Sequence, residues 1–540
     1  MGYKWITFYQ NKVKKNWKIA FASAFVMGLL VHLYKFTNNL PYFDGLYNAY
    51  SSQNMVASGR WFLSIACMLS SYFDLPWLIG VLSVFVMALT MVVVTDVLDI
   101  QNPCLIVVSS GLLVSFPAIT ETMFFEYTAD GYMIAMLFSS LAVYCSRMEK
   151  TGGWKAFLLS AVLICLTCGI YQAYLSFALV LAICYFLGIL LENRYCARMC
   201  WKWVLFQAGI YVTGLLLYYL LWQILLRVQG AEAASYQGIN SMGISIGQLL
   251  SAAKNSFVSF VWFLLERDPR YHGWSTYSAL SCLSCVAFFL VFGISVFKSG
   301  IYRRVPSFLL AVLCVAVIPF ACYLCYFVTP GTSYYTRMLQ SVVLLFLFTG
   351  VLCERWAGSA LKQGVLLLLI AVSFHNSVMA NVCYTYLDRS YEKSYATMVE
   401  LSMRIHLEDD GTAKYIAFVG TFDPLSESAD VDDAQLGTLG PLKLVCKAAL
   451  FYYDHMMLFM DQYTDFTLEY YRTSSQEFPE MEIAPGSPVP ADYSFRFPYV
   501  EQERQYQILA LPEVADMGIW PGRDSVKRIA DTIVVKLSNE

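Results

Sequence analysis

Charge is what this sequence has least of. Asp, Glu, Lys and Arg make up 14% of its 540 residues, against about 25% in an ordinary soluble protein. Hydrophobic residues make up 58%, and the mean hydropathy is +0.54. That balance excludes a soluble protein with a single core and reads as an integral membrane protein. Histidine is scarcer still, with five in the chain, so a histidine-rich zinc centre is not expected. Most of the 16 cysteines lie inside apolar runs such as "CLTC" and "CLSC", where Cys behaves as a small hydrophobe. Residues 382–540 hold only Cys383 and Cys446, too few for a disulfide framework. The glycine fingerprints of a Rossmann fold or a P-loop are also missing, and no nucleic-acid partner is expected. No small-residue cleavage site follows "KVKKNWK" and "IAFASAFVMGLLVHLY", so this segment reads as an uncleaved first span.

The few charges are unevenly placed. Residues 1–381 hold 23 Lys+Arg and 13 Asp+Glu, a net +10, whereas residues 382–540 hold 13 and 26, a net −13. Hydrophobicity falls at the same point. Two domains follow: a membrane domain over 1–381 and a water-soluble, acidic domain over 382–540. A span needs about 20 apolar residues. Candidates run near 18–36, 75–95, 103–119, 129–146, 156–171, 173–191, 203–226, 275–297, 306–328, 338–353 and 363–381, about eleven transmembrane helices. Two further runs, 60–73 and 244–265, are short or amphipathic and suit the interface. With the N-terminus in the cytoplasm, the inside segments carry sixteen Lys/Arg and the longer outside loops seven, as the positive-inside rule requires. An odd number of spans then puts the tail outside. In the tail, 391–408 and 449–463 read as helices, and 413–420 and 531–537 as strands. The stretch 423–437 is a polar, acidic loop. The fold class is therefore mainly α and polytopic, with a small extracytoplasmic α/β domain at the C-terminus.

The candidate chemistry lies on the outer loops, because charge near hydrocarbon is costly and tends to be functional. Asp44 follows Pro41 in "TNNLPYFDGLYNAY", ahead of a stretch suited to an interfacial helix. It suits a helix cap, a general base at the membrane surface, or both. Glu126 and Asp130 in "FFEYTADGYM" share a helix face at i, i+4. Facing acids raise each other's pKa or share a cation, and with water or substrate they could hold Mg²⁺ or Mn²⁺; the plainer reading is solvated acids at a helix start. Arg60 in "SGRWF" and Arg337 in "TSYYTRML" suit a phosphate or headgroup anchors, and Lys254 makes a weaker case. Tyr171, Gln172 and Tyr174 in "GIYQAYLS" suit a sugar site, although aromatic belts explain tyrosines here equally well.

Taken in order, Asp44 after the first span, "GRW" at 59–61, the acidic loop ending in Asp130 and "YQAY" at 171–174 resemble the Gtr-type glucosyltransferases of the GtrII group. The closing "WPGRDSVKRIADTIVVKLS" resembles that family's last segment as well. The resemblance implies a glycosyltransferase of the GT-C superfamily in a bacterial cell membrane. It would take a hexose, by the family's expectation glucose, from a polyprenyl-phosphate carrier on the outer face. The family's first-loop acid maps onto Asp44, and the second-loop acid onto Asp130 or Glu126. The acceptor implied is a surface glycan such as an O-antigen or a teichoic acid. A flippase and a prenyl-phosphate glucosyltransferase would act in the same pathway. The other classes are a glycan polymerase, which would carry an arginine-rich outer loop, and a lipid-linked glycan flippase or transporter, which would show internal repeats and mid-membrane charge.

Overall fold

In hydrocarbon every backbone N–H and C=O must be satisfied within its own segment, so apolar runs become helices. The computed structural model describes residues 13–241, 243, 245–266, 275–329, 331–409, 413, 415–420, 437–446, 453–464, 511–529 and 532–539. Its α-helices of eight residues or more are α1 Lys15–Thr37, α2 Pro76–Val97, α3 Pro103–Ser115, α4 Pro117–Phe124, α5 Glu126–Cys145, α6 Trp154–Ile170, α7 Leu175–Glu192, α8 Ala197–Gln229, α9 Ile246–Leu265, α10 Thr276–Ser299, α11 Val305–Cys322, α12 Val343–Trp356, α13 Ser359–Glu408 and α14 Tyr453–Tyr463.

Among the described residues, eight helices are long and apolar enough to cross a membrane: α1, α2, α5, α7 with its preceding turn, α8, α10, α11 and α13. The bent pair α3–α4 makes nine if it is one span. The expected eleven also needed 156–171 and 338–353. The first is α6, at 17 residues; the second is a 3₁₀ turn at Gln340–Val342 followed by α12, at 14 residues. Both are apolar but short of a full crossing.

Local chemistry sets the breaks. Asn102 caps α3 by accepting from the Cys104 and Leu105 amides, with Pro103 at the first helical position, where its missing N–H costs nothing. Pro117 forces Phe116 into extended backbone, and α4 leaves α3 at 42°. A second break at Phe125 starts α5 afresh at Glu126. The amphipathic 244–265 run is the 20-residue helix α9, opened by a capping box between Ser245 and Gln248.

The described residues form two compact units. The larger lies within 1–39, 48–384 and 433–445, the smaller within 40–47, 385–432 and 446–540. In the larger unit α1 packs on α2 and α3, α2 on α5, α5 on α6, and α6 on α8. The smaller unit contains β1 Tyr415–Val419, β2 Val526–Ile529 and β3 Thr532–Lys536 in the order β1-β3-β2. β1 runs parallel to β3, with Ile416 opposite Ile533, and β2 runs antiparallel to it. Met398, Leu401 and Ile405 of α13 and Phe459 of α14 cover one sheet face. Val514 and Met517 cover the other, so β3 is buried on both sides. The strands and helices expected in the tail appear, and the acidic loop 423–436 lies outside the described residues.

The α1–α2 contact depends on glycine. A Cβ at Gly80 would sit 2.2 Å from the Phe36 ring. Gly80→Val should cost about 1–3 kcal/mol through overpacking, read as a lower melting temperature in detergent, and adding Phe36→Ala should recover part of the loss.

Candidate functional site

The ends of α1, α2 and α5 bring three ionisable groups together. Lys35, in the last turn of α1, is fully buried and pairs with Glu126 at the start of α5. Asp74 precedes α2, its amide held by the Ala49 carbonyl. Its carboxyl meets Glu126 within hydrogen-bonding reach, while its Oδ1 is shut off from solvent and, among the described residues, has no hydrogen-bond partner. Two carboxyl groups bond only when one is protonated. Burial first, and then the neighbouring Glu126, push the Asp74 carboxyl well above the usual carboxylate range, against the opposing pull of Lys35.

One turn along α5, Asp130 is 1% exposed. One oxygen accepts from the Gly131 amide at 2.8 Å. The other is buried and, among the described residues, has no hydrogen-bond partner. Cys67 and Ser70, from the segment before α2, lie beside it. Burial and Asp130 push the Cys67 thiol up, so it stays protonated. Two residues on, the Tyr132 hydroxyl accepts from Arg60 Nη1 at 3.3 Å, and the Tyr132 ring stacks on Tyr171 at 4.9 Å. The Arg60 guanidinium lies 4.5 Å from the Tyr171 ring centre, a cation–π contact. The segment before α2 thus lays Arg60 and Cys67 along the face of α5.

A second pair lies next to the Phe125 break. Arg337 Nη1 donates to Glu121 Oε1 at 2.8 Å, and its amide to Oε2 at 3.1 Å. The guanidinium lies 4.0 Å from the Phe125 ring centre and 4.4 Å from that of Tyr335.

The expected site residues therefore fall in different places. Glu126 and Asp130 share the helix α5 as the spacing implied, but they are buried rather than solvated, and each faces its own partners. Arg60 and Tyr171 come together. Arg337 is neutralised by Glu121, and Lys254 is exposed on α9. Gln172 holds structure: its Nε2 donates to the Ser58 carbonyl at 3.0 Å and to the Tyr218 hydroxyl at 2.8 Å. Both contacts crowd Gly59, whose φ of +76° suits glycine and whose Cβ would lie 2.4 Å from the Tyr218 hydroxyl. Tyr174 is fully buried. Asp44 belongs to the smaller unit, buried in the four-residue helix Phe43–Leu46. It sits inside that first turn. The cap position is Tyr42, which makes no side-chain cap bond. The interfacial helix expected after Asp44 does not form: bridges Tyr50–Phe73 and Met55–Arg60 and the turn Val56–Ser58 take its place.

Sequence reading missed the roles of Lys35, Asp74, Glu121 and Tyr132. Lys35 and Asp74 carried a signal, as charges at the very ends of apolar runs. For a divalent cation the donor set is a poor fit. Glu126 is engaged by Lys35, and among the described residues no group of three His, Cys, Asp or Glu could hold a metal.

Buried carboxylates and cations gathered where apolar helices end define an ionisable site in a polytopic membrane protein. The family model described as glucosyl transferase GtrII matches residues 33–353, and the chain belongs to that family. The match runs from just before Lys35 to α12 and takes in Arg60, Asp74, Glu126, Asp130 and Arg337. It ends before the tail, so the likeness read in Trp520–Ser538 is not part of it. No curated protein matches the chain.

Lys35→Met should destabilise by about 3–5 kcal/mol, because Glu126 is left charged in a dry site. Lys35→Met with Glu126→Leu should recover most of that, as read by denaturant unfolding in detergent. Asp74 also predicts a pH dependence. Its folded pKa lies above the ordinary 3.8, so its contribution is full below that value and is lost as pH rises through the folded pKa. Asp74→Asn should flatten this part of the stability–pH curve.

Proposed function

We propose that the protein transfers a hexose, glucose on the family's activity, from a polyprenyl-phosphate carrier to a hydroxyl of a cell-surface glycan. One observation carries the reading: the segment matched by the glucosyltransferase family contains the cations and buried carboxylates gathered at the ends of α1, α2 and α5. A donor borne by a membrane lipid suits this position, since its phosphate lies where apolar helices give way to polar chain.

The reaction is a single displacement. A carboxylate takes the proton of the acceptor hydroxyl as its oxygen attacks the anomeric carbon. The bond from that carbon to the phosphate oxygen breaks on the opposite face, polyprenyl phosphate leaves with the electron pair, and the configuration inverts. Two candidates for the base follow from different grounds. Asp130 has one buried oxygen with no hydrogen-bond partner among the described residues, and Asp44 is the acid to which the family resemblance points. Arg60 is the cation for the leaving phosphate, because a guanidinium meets phosphate oxygens bidentately. Its aromatic neighbours Tyr171 and Tyr132 suit a sugar face. Arg337, held by Glu121, shapes the site. The membrane is the bacterial cell membrane, with the N-terminus inside and the 382–540 domain outside. A glycan polymerase or a flippase remains the alternative.

Purified protein given synthetic polyprenyl-phosphate-glucose and a glycan acceptor should transfer glucose. Loss of a general base costs roughly 10²–10⁴-fold in rate, so either Asp130→Asn or Asp44→Asn should show that loss with donor binding retained. Arg60→Ala should weaken donor binding, and Arg60→Lys should recover only part of it. Equal transfer by all variants would remove these roles. No transfer by the wild type would turn the reading toward the polymerase or flippase.

A further inference from the structure

Helices α1, α2 and α5 each have a second end, away from Lys35, Asp74 and Glu126, and a polar cavity of about 260 Å³ lies there. It is lined from the start of α1, the end of α2 and the chain after it, and the connection from α5 to α6. The wall is braced. Asp96 accepts from Lys14 at 2.6 Å, from Trp17 at 2.9 Å and from Arg147 at 3.2 Å. Glu192 joins Arg194 at 2.5 Å to Arg355 at 2.7 Å. None of these groups belongs to the candidate site.

Two donors in this wall are unused. Thr95 is 2% exposed, and among the described residues its hydroxyl has no hydrogen-bond partner. Arg147 Nε is likewise buried and without one. Buried donors left unmatched are costly, and together they suit a ligand rich in acceptor oxygens. The same cavity presents one uncommitted acid. Glu149 is exposed and, among the described residues, makes no ion pair, whereas Asp99 already accepts from Gln101 Nε2 at 2.5 Å and faces Arg194 and Arg355 at 3.6 and 4.0 Å. An uncommitted acid beside free donors suits a ligand that carries a cation with N–H groups next to its phosphate. The spans end here, so such a ligand on a lipid would have its chains in the bilayer.

We infer that this cavity binds a phosphoethanolamine lipid headgroup, its phosphate toward Thr95 and Arg147 and its ammonium toward Glu149. The inference stands apart from glycosyl transfer: it concerns the other ends of the helices and involves none of the residues proposed to act on the sugar.

The test is native mass spectrometry of the full chain in detergent with equimolar dihexanoyl phosphatidylethanolamine, phosphatidylcholine and phosphatidylglycerol. Phosphatidylethanolamine should be retained at least fivefold over the others. Thr95→Val and Arg147→Lys should each weaken its retention roughly fivefold, the worth of one lost hydrogen bond. Glu149→Gln, at an exposed position that folding does not depend on, should erase the preference over phosphatidylcholine and leave retention of phosphate lipids otherwise intact. Equal retention of the three lipids, or an unchanged preference in Glu149→Gln, would overturn the inference. Glycerophosphoethanolamine binding as tightly as the lipid would overturn the lipid source.

Discussion

The structure depends first on one buried ion pair. Lys35 has no contact with solvent, and its charge sits where an apolar helix ends. Taking an ion out of water costs several kcal/mol even after relaxation, and only a close, hydrogen-bonded partner offsets it. Glu126 is that partner. To reach Lys35 it must begin a new helix, and the break at Phe125 allows this. Asp74 adds a second carboxyl, which leaves the cluster short of positive charge unless a proton is held there. An exposed pair such as Arg404–Glu400, with side chains 26% and 53% exposed, is worth 0–1 kcal/mol and dictates nothing comparable.

The same helices carry polar groups at both ends. At one end, carboxylates and cations face each other under partial or full burial, together with the aromatic rings of Tyr132 and Tyr171. At the other, ion pairs brace a polar cavity. Between the two, the helix surfaces are apolar and closely packed, down to glycine contacts such as Gly80 against Phe36. Rigid helices with chemistry confined to their ends suit an enzyme whose substrate is held at the membrane surface, since positioning supplies much of the rate.

The sequence made the membrane class, the long helices and the small sheet legible, because apolar runs and alternating strands are local signals. The run 129–146 became Glu126–Cys145, and "AKYIAFVG" became β1. The pairings were not legible. Lys35 and Glu126 are 91 residues apart, and no local pattern joins them. The Glu126/Asp130 spacing correctly gave one helix, yet it could not say that one acid meets a lysine and the other a cysteine. Gln172 read as a sugar ligand because it is polar among tyrosines. Its amide instead holds the turn before Gly59, a contact across 114 residues. The helix expected after Asp44 failed because the chain there folds back on itself, pairing Tyr50 with Phe73 and Met55 with Arg60.

The proposed transfer requires a lipid-borne phosphate at the Arg60 and Asp130 ends of these helices. A polyprenyl phosphate carrying a photoreactive group next to its phosphate tests it directly, with labelled peptides read by mass spectrometry. Label is expected in 55–70 and at the start of α5, with competition by unmodified polyprenyl phosphate. Label confined to the opposite helix ends, around 95–101 and 147–150, would contradict it.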